Sequence, residues 1–206
     1  MPKNPRIDQI RLDGGILCLD FVNTIPDRVD GTDRDNLTGI ADLIYWAKKS
    51  GILQPSEMTR LEKAAHAKGK KAKEFFIDAL SIRSLIYAIF QPISKGQKVK
   101  SSDLDALNVH ISAYKTFIEI TPTKDSFTEI WNFSGDNFLS ITAPIVKSAR
   151  ALLLSDKLQR VKQCPNCGWL FLDTTKNGKR RWCSMEDCGS NVKALEYYYR
   201  KKKKEN

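Results

Sequence analysis

Four of the five cysteines fall in two short pairs near the end of the chain. Cys164 and Cys167 are separated by two residues, and Cys183 and Cys188 by four. Tetrahedral zinc takes four ligands at about 2.3 Å, and cysteines spaced this closely let one turn present both sulfurs to one metal. Two such pairs match the spacing of four-cysteine zinc sites. The spacing therefore predicts one structural zinc ion held by these four residues.

Two other roles for the cysteines are weaker interpretations. The CPNC stretch alone is typical of a redox pair, but no βαβ pattern surrounds it and a second pair accompanies it. Structural disulfides need an oxidising compartment, whereas the N-terminal residues lack the apolar stretch of a secretory signal, so a cytoplasmic protein is expected. Cys18 lies far from both pairs in an apolar stretch, and we expect it to be a small buried side chain.

The rest of the chain is long enough to form a domain of its own. The 206 residues are 41% hydrophobic and 28% charged, which is typical of a globular protein. No apolar run approaches the roughly 20 residues of a membrane span, so no membrane association is expected. We expect one domain over residues 1–160 and a second over residues 161–206.

The first domain is predicted to be mainly helical. Apolar residues from Leu37 to Ala47 recur at helical spacing, and Gly51 follows where a C-terminal cap belongs. A further helix is predicted from Pro55, and another from Glu74. The stretch GGILCLDFVNT is compatible with an extended segment or a short helix, and the pattern does not separate the two.

The second half of this domain is predicted to contain two more helices and a hairpin. Ser102 and Asp105 have the spacing of a capped helix start. KTFIEI and SFTEIWNF are predicted to be the arms of a β-hairpin, and Pro144 is predicted to lie in the first turn of a last helix.

The cysteine segment is predicted to be a small finger of the treble-clef or ribbon-like type, with a β-hairpin and a helix. WLFLD and RRWC are expected to be its strands, joined at Asn177-Gly178. A helix is expected after Cys188, capped by Ser190 or Asn191. Its apolar stripe, which we expect to pack on the strands, consists of Val192, Leu195 and Tyr199.

The finger is also strongly basic. The chain has a net charge of +10, and residues 162–206 carry 11 Lys and Arg against 5 Asp and Glu. Basic residues interleaved with Trp182 and Tyr197 favour a nucleic-acid partner. The residues predicted to contact phosphates are Lys179, Arg180, Arg181, Lys193, Arg200 and Lys201. The alternative is that these cations offset the formal charge of −2 on a four-cysteine zinc site and keep the tail soluble.

Nothing in the sequence indicates catalysis. Four cysteines leave zinc no open position, and the two histidines, His66 and His110, stand apart. We therefore expect no enzymatic activity.

Three polar residues in the LDFVNT stretch suggest a further site. Asp20, Asn23 and Thr24 are set among apolar side chains and are candidates for binding a small ligand. They are equally suited to hydrogen bonding the backbone at a helix cap or turn, and this interpretation is favoured.

Both domains resemble known families. CPNCGWLFLD, GKRRWCSMEDCG and VKALEYYYRKK resemble the CGNR zinc finger, and GGILCLDFVNT and LIYWAKKSGIL resemble the ABATE domain that normally precedes it. The resemblance implies a bacterial, stress-induced transcriptional regulator whose four cysteines bind zinc. The sequence departs from the family where Cys188-Gly189 is followed by Ser190-Asn191 instead of Asn-Arg. The missing arginine is one that would contact DNA or brace the finger.

The leading hypothesis is a cytoplasmic, zinc-containing, DNA-binding regulator. Its helical domain is expected to sense a small-molecule effector, bind a protein partner or form a homo-oligomer. The alternative is an adaptor whose finger binds an acidic protein, and an RNA-associated factor is less favoured. Removal of the metal is expected to unfold the finger and leave the helical domain folded.

Overall fold

The computed structural model describes residues 4–31 and 34–203, and it is mainly helical as predicted. The first part consists of seven helices and one hairpin. In chain order these are α1 (Pro5–Asp8), α2 (Leu17–Val22), α3 (Ile40–Lys49), α4 (Pro55–Ala67), α5 (Gly69–Ser94), α6 (Ser101–Lys115), β1 (Ile118–Pro122), β2 (Phe127–Trp131) and α7 (Leu139–Leu153).

The short helix α2 lies at the centre of this helical part. Its residues from Cys18 to Val22 are all buried, and it packs against α5 and α7. Phe21 meets Trp46 of α3 with 5.1 Å between ring centroids. The alternative left open for GGILCLDFVNT is therefore decided in favour of a helix, because burial on every side stabilises six residues that would not hold a helix alone. Cys18 is fully buried as predicted.

The helices α3 and α4 begin and end close to where the sequence indicates. Gly51 follows α3 with φ at +80°, the left-handed conformation of a helix-terminating glycine. Pro55 occupies the first turn of α4, where Gln54 and Glu57 form a capping box. The next helix, α5, starts at Gly69 and not at the predicted Glu74. Only Lys68 separates it from α4.

The helix α5 is the longest element, with 26 residues. It is long and apolar enough to cross a membrane by length and composition. The core helix of a folded protein meets the same criteria, and Ile82, Ile86, Ile89 and Phe90 of α5 are buried in the core. It packs against α2, α6 and the first strand of the finger.

The second half contains the predicted elements with two shifted helix starts. The hairpin β1–β2 is antiparallel, with Ile118 opposite Trp131. Helix α6 begins at Ser101 without a side-chain cap, so the capped start predicted at Ser102 is wrong. Helix α7 begins a turn before the predicted start, and Pro144 lies inside it. Burial of the preceding turn in the core favours this extension, although a proline within a helix gives up one backbone hydrogen bond.

The finger has five elements. They are a 3₁₀ turn (Leu158–Arg160), β3 (Val161–Gln163), β4 (Leu170–Leu172), a π turn (Met185–Gly189) and α8 (Ser190–Lys202).

The strands of the finger are not the predicted pair. The predicted strand RRWC is not a strand, and β4 pairs instead with β3, which precedes the first cysteine. The register places Val161 opposite Leu172 and Gln163 opposite Leu170. The C-x2-C turn reverses the chain between β3 and β4, so the hairpin is made by the cysteine turn and not by Asn177-Gly178.

The last helix, α8, differs from the prediction in both its start and its packing. It continues directly from the π turn, with Gly189 at its N-terminus and no side-chain cap, so neither Ser190 nor Asn191 caps it. None of the residues of Ser190–Lys202 is buried, and Leu195 and Tyr199 are 55% and 63% exposed. The predicted apolar stripe therefore does not pack on the strands.

The finger and the helices share one hydrophobic core. Val161, Leu170 and Leu172 of the finger belong to the same buried cluster as the side chains of α2, α3 and α5. A second, smaller cluster holds the four zinc-site cysteines with Trp169 and Phe171. The boundary predicted between residues 160 and 161 falls at the end of the 3₁₀ turn, and it stays a prediction.

Candidate metal centre

The four predicted zinc ligands come together in one cluster. Their sulfur atoms all lie within 4.8 Å of one another, and all four residues are buried. The sulfur of Cys183 is 3.6 Å from those of Cys167 and Cys188. Four sulfurs at about 2.3 Å from a tetrahedral zinc would be about 3.8 Å apart, so the cluster has the dimensions that the ion requires.

The first pair of cysteines is positioned by the turn between β3 and β4. The Cys164 N–H donates to the carbonyl of Trp169 at 2.8 Å, and the Gly168 N–H donates to the carbonyl of Cys164 at 2.9 Å. Gly168 has φ at +72°, and a Cβ there would lie 2.9 Å from Cβ of Arg28. Glycine is therefore required both by the backbone conformation and by the close approach of the 23–28 segment.

The second pair is positioned by the π turn. The hydroxyl of Ser184 accepts a hydrogen bond from the Asp187 N–H, and the Gly189 N–H donates to the carbonyl of Ser184 at 3.0 Å. Asn166, from the first turn, donates its side-chain amide to the sulfur of Cys188 at 3.4 Å. The first turn thus helps to hold the second pair in place, which orients the ligands for the metal.

The thiols themselves show why the cluster needs a cation. Hydrogen bonds from Cys167 and Cys183 hold the pKa of Cys164 well below its ordinary value. Their hydrogen bond to Cys164 in turn raises the pKa values of Cys167 and Cys183. A buried cluster without a metal therefore favours one thiolate and resists a second, whereas a bound Zn²⁺ stabilises all four thiolates and leaves a formal charge of −2. The cofactor is one structural zinc ion, which supplies a four-way crosslink of the finger.

One edge of β4 is bound by the segment that follows α2. The side chain of Asn23 donates to the carbonyl of Leu170 at 2.7 Å and accepts from its N–H at 3.0 Å. Beside it, the Leu172 N–H donates to the carbonyl of Gly14 at 2.8 Å. β4 pairs with β3 along one edge, and Asn23 provides hydrogen bonds along the opposite edge.

The same segment continues along the zinc site. The Arg28 N–H donates to the carbonyl of Cys167 at 2.9 Å, and the indole of Trp169 donates to the carbonyl of Ile25 at 2.7 Å. Arg11, which precedes α2, forms an ion pair with Asp187 of the π turn. Residues on either side of α2 therefore contact both cysteine turns: Arg28 contacts the first, and Arg11 contacts the second.

Comparison with known families matches two consecutive segments of the chain. Residues 160–201 match the CGNR zinc finger. Residues 15–156 match the ABATE family, which is described as "Putative stress-induced transcription regulator". The chain belongs to the ABATE family. No curated protein matches it.

The three candidate ligand-binding residues of the ABATE part are bonded to protein groups. Asp20 accepts from the Gly14 N–H at 2.8 Å, and Asn23 binds Leu170 as described above. Thr24 donates to the carbonyl of Phe21 at 2.8 Å and accepts from Arg83 at 2.8 Å. These are the backbone and turn contacts of the favoured interpretation, and the ligand-binding role stays a prediction.

The predicted phosphate contacts of the CGNR finger fall into two groups. Arg180 is held within the finger: its Nε donates to the carbonyl of Trp182 at 2.9 Å, it also donates to the carbonyl of Cys183, and its guanidinium lies 4.8 Å from the ring of Phe171. The others are exposed, namely Lys179, Arg181, Lys193, Arg200 and Lys201.

Two of these exposed cations lie over one aromatic ring. The guanidinium of Arg181 is 4.9 Å from the ring of Trp182, and the amine of Lys193 is 6.0 Å from it. Trp182 thereby lies beside a cation of the loop before Cys183 and a cation at the start of α8.

Sequence reasoning missed the carboxylate that holds the finger's central loop. Asp173 is fully buried and accepts from the Lys162 amine at 2.7 Å, from the Arg180 N–H at 2.9 Å, and from the hydroxyl and N–H of Thr175. Burial by itself would raise the pKa of Asp173, but these bonds outweigh it and hold that pKa well below its usual range. The signal in the sequence was an Asp two residues before a Thr after a strand, which is typical of a side-chain turn.

Proposed function

We propose that this ABATE family protein is a cytoplasmic, DNA-binding transcriptional regulator and that its zinc finger contacts the DNA. The observation that carries the proposal is the exposed, basic helix α8, which begins beside Trp182 and Arg181. The ABATE part then serves to sense an effector or to associate with a second copy.

The helix α8 is built as a surface for another molecule. It has 13 residues and buries none of them, whereas isolated helices of this length are marginal in water. Its last turn carries Arg200, Lys201 and Lys202. A helix with this charge is stabilised by lying against a polyanion, and the phosphate backbone of DNA supplies one.

The tyrosines of α8 add an aromatic component to this surface. Tyr197, Tyr198 and Tyr199 are between 58% and 67% exposed. Hydroxyl groups and aromatic rings commonly bind phosphates, sugars or bases in nucleic-acid interfaces. Exposed tyrosines between Lys193 and Arg200 therefore fit a groove or backbone contact better than they fit open solvent.

The zinc in this proposal has a structural role and the protein is not an enzyme. All four zinc ligands are cysteine sulfurs from the chain, which leaves no position for a water or a substrate. The zinc ion contributes by fixing the positions of Arg181, Trp182 and the start of α8 relative to one another.

The experiment is a selection of genomic DNA. The zinc-loaded full-length protein is incubated with fragmented DNA from its host, and the bound fragments are sequenced after washing at moderate salt. Enrichment of a common motif supports a sequence-specific regulator. The double variant Arg181→Ala, Lys193→Ala should lose most of the enrichment while retaining its zinc. The matched control is the double variant Lys115→Ala, Lys124→Ala, which removes the same charge from exposed positions outside the finger.

The second candidate is an adaptor that binds an acidic protein, and the exposed apolar side chains of α8 favour it. Leu195 is 55% exposed next to the three tyrosines, which is a mixed apolar and basic surface. Salt weakens both kinds of complex, so salt dependence alone does not separate them. Uniform recovery of fragments, or none, would favour the adaptor, and a strong preference for unpaired strands would indicate RNA.

A further inference from the structure

A second basic surface lies outside the finger, in the connection between α5 and α6. This connection contains Lys95, Lys98 and Lys100 and no acidic residue. All three lysines are exposed. The proposed function, as derived from the finger alone, does not use them.

The structure holds this connection in a defined conformation. The Gly96 N–H donates to the carbonyl of Ile93 at 2.9 Å, and the Gln97 N–H donates to the carbonyl of Pro92 at 2.9 Å. Gly96 adopts φ at +67°, and Val99 packs against the core. The lysines are therefore presented by an ordered turn and not by a free loop.

The connection faces the finger across an open cleft of about 710 Å³. Its lining includes Ser94 and Lys95 from the end of α5 and Pro165, Gly168 and Arg181 from the finger. The two sides are held together because α5 packs against β3 and the side chain of Gln163 donates to the Tyr87 hydroxyl of α5 at 2.9 Å. The separation of Lys95 from Arg181 is thus fixed by the shared core.

The cleft is positively charged. No acidic side chain lines it within residues 4–31 and 34–203. Lys162 and Arg180 also line it, but their donors are used by Asp173 and by finger carbonyls. Lys95 and Arg181 form no ion pair with any residue in those ranges, which leaves one cation on each side for an external anion.

From this arrangement we propose that the DNA interface is composite. One strand of the DNA backbone crosses the cleft, with its phosphates contacted by Arg181 of the finger and by Lys95, Lys98 and Lys100 of the ABATE part. This inference rests on the proposed function and extends it from the finger to the helical part.

Local electrostatics explain only one of the three lysines. Lys95 directly follows the C-terminus of α5, where a cation offsets the helix dipole. Lys98 and Lys100 lie beyond that last turn, and no carboxylate separates them from Lys95. A phosphate backbone, which carries repeated charges in a row, accounts for all three.

The test compares two triple variants of the full-length, zinc-loaded protein. The first is Lys95→Ala, Lys98→Ala, Lys100→Ala. The control is Lys70→Ala, Lys71→Ala, Lys73→Ala, which removes the same charge from the other end of α5. With a rise of about 1.5 Å per residue, Lys73 lies roughly 33 Å from Lys95 along the helix.

Binding to a short random-sequence DNA duplex is measured by fluorescence anisotropy at several salt concentrations. The connection variant is expected to bind at least about tenfold more weakly than the control, and its slope of log affinity against log salt is expected to be smaller by up to about 0.9 per lost phosphate contact. Both variants should keep the wild-type zinc content and circular dichroism spectrum, because all the changed side chains are exposed.

Each outcome decides between the two levels of the proposal. If wild type and control bind DNA and the connection variant binds equally well, the composite interface is overturned, and loss of binding in Arg181→Ala would leave the finger proposal intact. Equal weakening in both triple variants would mean that only net charge matters, which also overturns the composite interface. If wild type binds no DNA, the proposed function itself fails.

Discussion

Two buried aspartates of this protein have opposite electrostatic roles. Asp173 accepts four hydrogen bonds, one of them from the Lys162 amine, and its pKa lies well below the usual range. Asp20 is bonded by the Gly14 N–H, and burial raises its pKa to about 7. The number of donors thus decides whether burial of a carboxylate stabilises its charged or its neutral form.

The first prediction concerns Asp173. Asp173→Asn is expected to reduce the free energy of unfolding by about 1–3 kcal/mol at pH 7, because Lys162 and the loop N–H groups lose a charged acceptor. Since the folded pKa is depressed, the stabilisation is present above the unfolded pKa of about 3.9 and is lost as the pH falls further. Denaturant unfolding of the variant and of wild type at pH 7 measures this loss, and equal stability of the two at pH 7 would contradict it.

The second prediction concerns Asp20 and has the opposite sign. Because the folded pKa is raised to about 7, the native state favours the protonated acid, and stability is lost as the pH rises from about 4 through 7. Asp20→Asn resembles the neutral acid and keeps an oxygen for the Gly14 N–H. We expect its thermal midpoint to exceed that of wild type at pH 8 and to exceed it by less at pH 5, where only part of this loss has occurred. A variant less stable than wild type at both pH values would show that the charged form is needed.

At the level of elements, the cysteine turn decides the finger's topology. β3 and β4 are three residues each, and the turn that carries Cys164 and Cys167 joins them. The Asn177-Gly178 signal is real as a turn, since Gly178 has φ at +59°, but it joins no strands. The backbone after Gly178 is held by side chains. Asp173 accepts from the Arg180 N–H and Arg180 donates to the carbonyl of Trp182, and these bonds take the place of hydrogen bonds between paired strands.

The third prediction concerns α8. Truncation after Val192 is expected to abolish DNA binding while changing the free energy of unfolding by less than about 0.5 kcal/mol, because residues 193–203, the removed residues that the structure describes, are all exposed. Thermal unfolding and zinc content are measured on the same preparation as DNA binding. A large loss of stability would mean that α8 packs against the molecule, and unchanged DNA binding would remove α8 from the interface.

At the level of the whole molecule, the finger packs into the same core as the helices. Val161, Leu170 and Leu172 lie in the common core, and Asn23 and Gly14 bind the free edge of β4. From the sequence, the helical domain is expected to stay folded when the metal is removed. The shared core adds that its stability should fall, because losing the finger would expose apolar side chains of the helices.

The fourth prediction is that zinc removal destabilises the entire protein. In the presence of a strong chelator, the thermal midpoint followed by far-ultraviolet circular dichroism, which reports mainly the ABATE helices, is expected to fall by several degrees, and added zinc should restore it. The variant Asn23→Leu is expected to reduce the difference between the two midpoints, since it weakens the connection to β4. A helical transition that is unchanged by the chelator would establish two independently folding units.

The sequence alone determined the metal site, the helical class of the first part and the basic character of the finger. These follow from local patterns: the spacing of two cysteine pairs, apolar residues at helical periodicity, and the density of Lys and Arg. Local spacing is sufficient because each pair of ligands lies in one turn and each amphipathic helix carries its own stripe.

The tertiary structure decided which segments meet. The pairing of β4 with β3, the attachment of Asn23 to Leu170, the burial of Asp173 and the cleft between Lys95 and Arg181 all join residues that the chain separates. The conformation of GGILCLDFVNT was decided in the same way, since its six helical residues are stabilised by burial against α5 and α7. These contacts depend on how the core packs, and no local pattern in the chain specifies that packing.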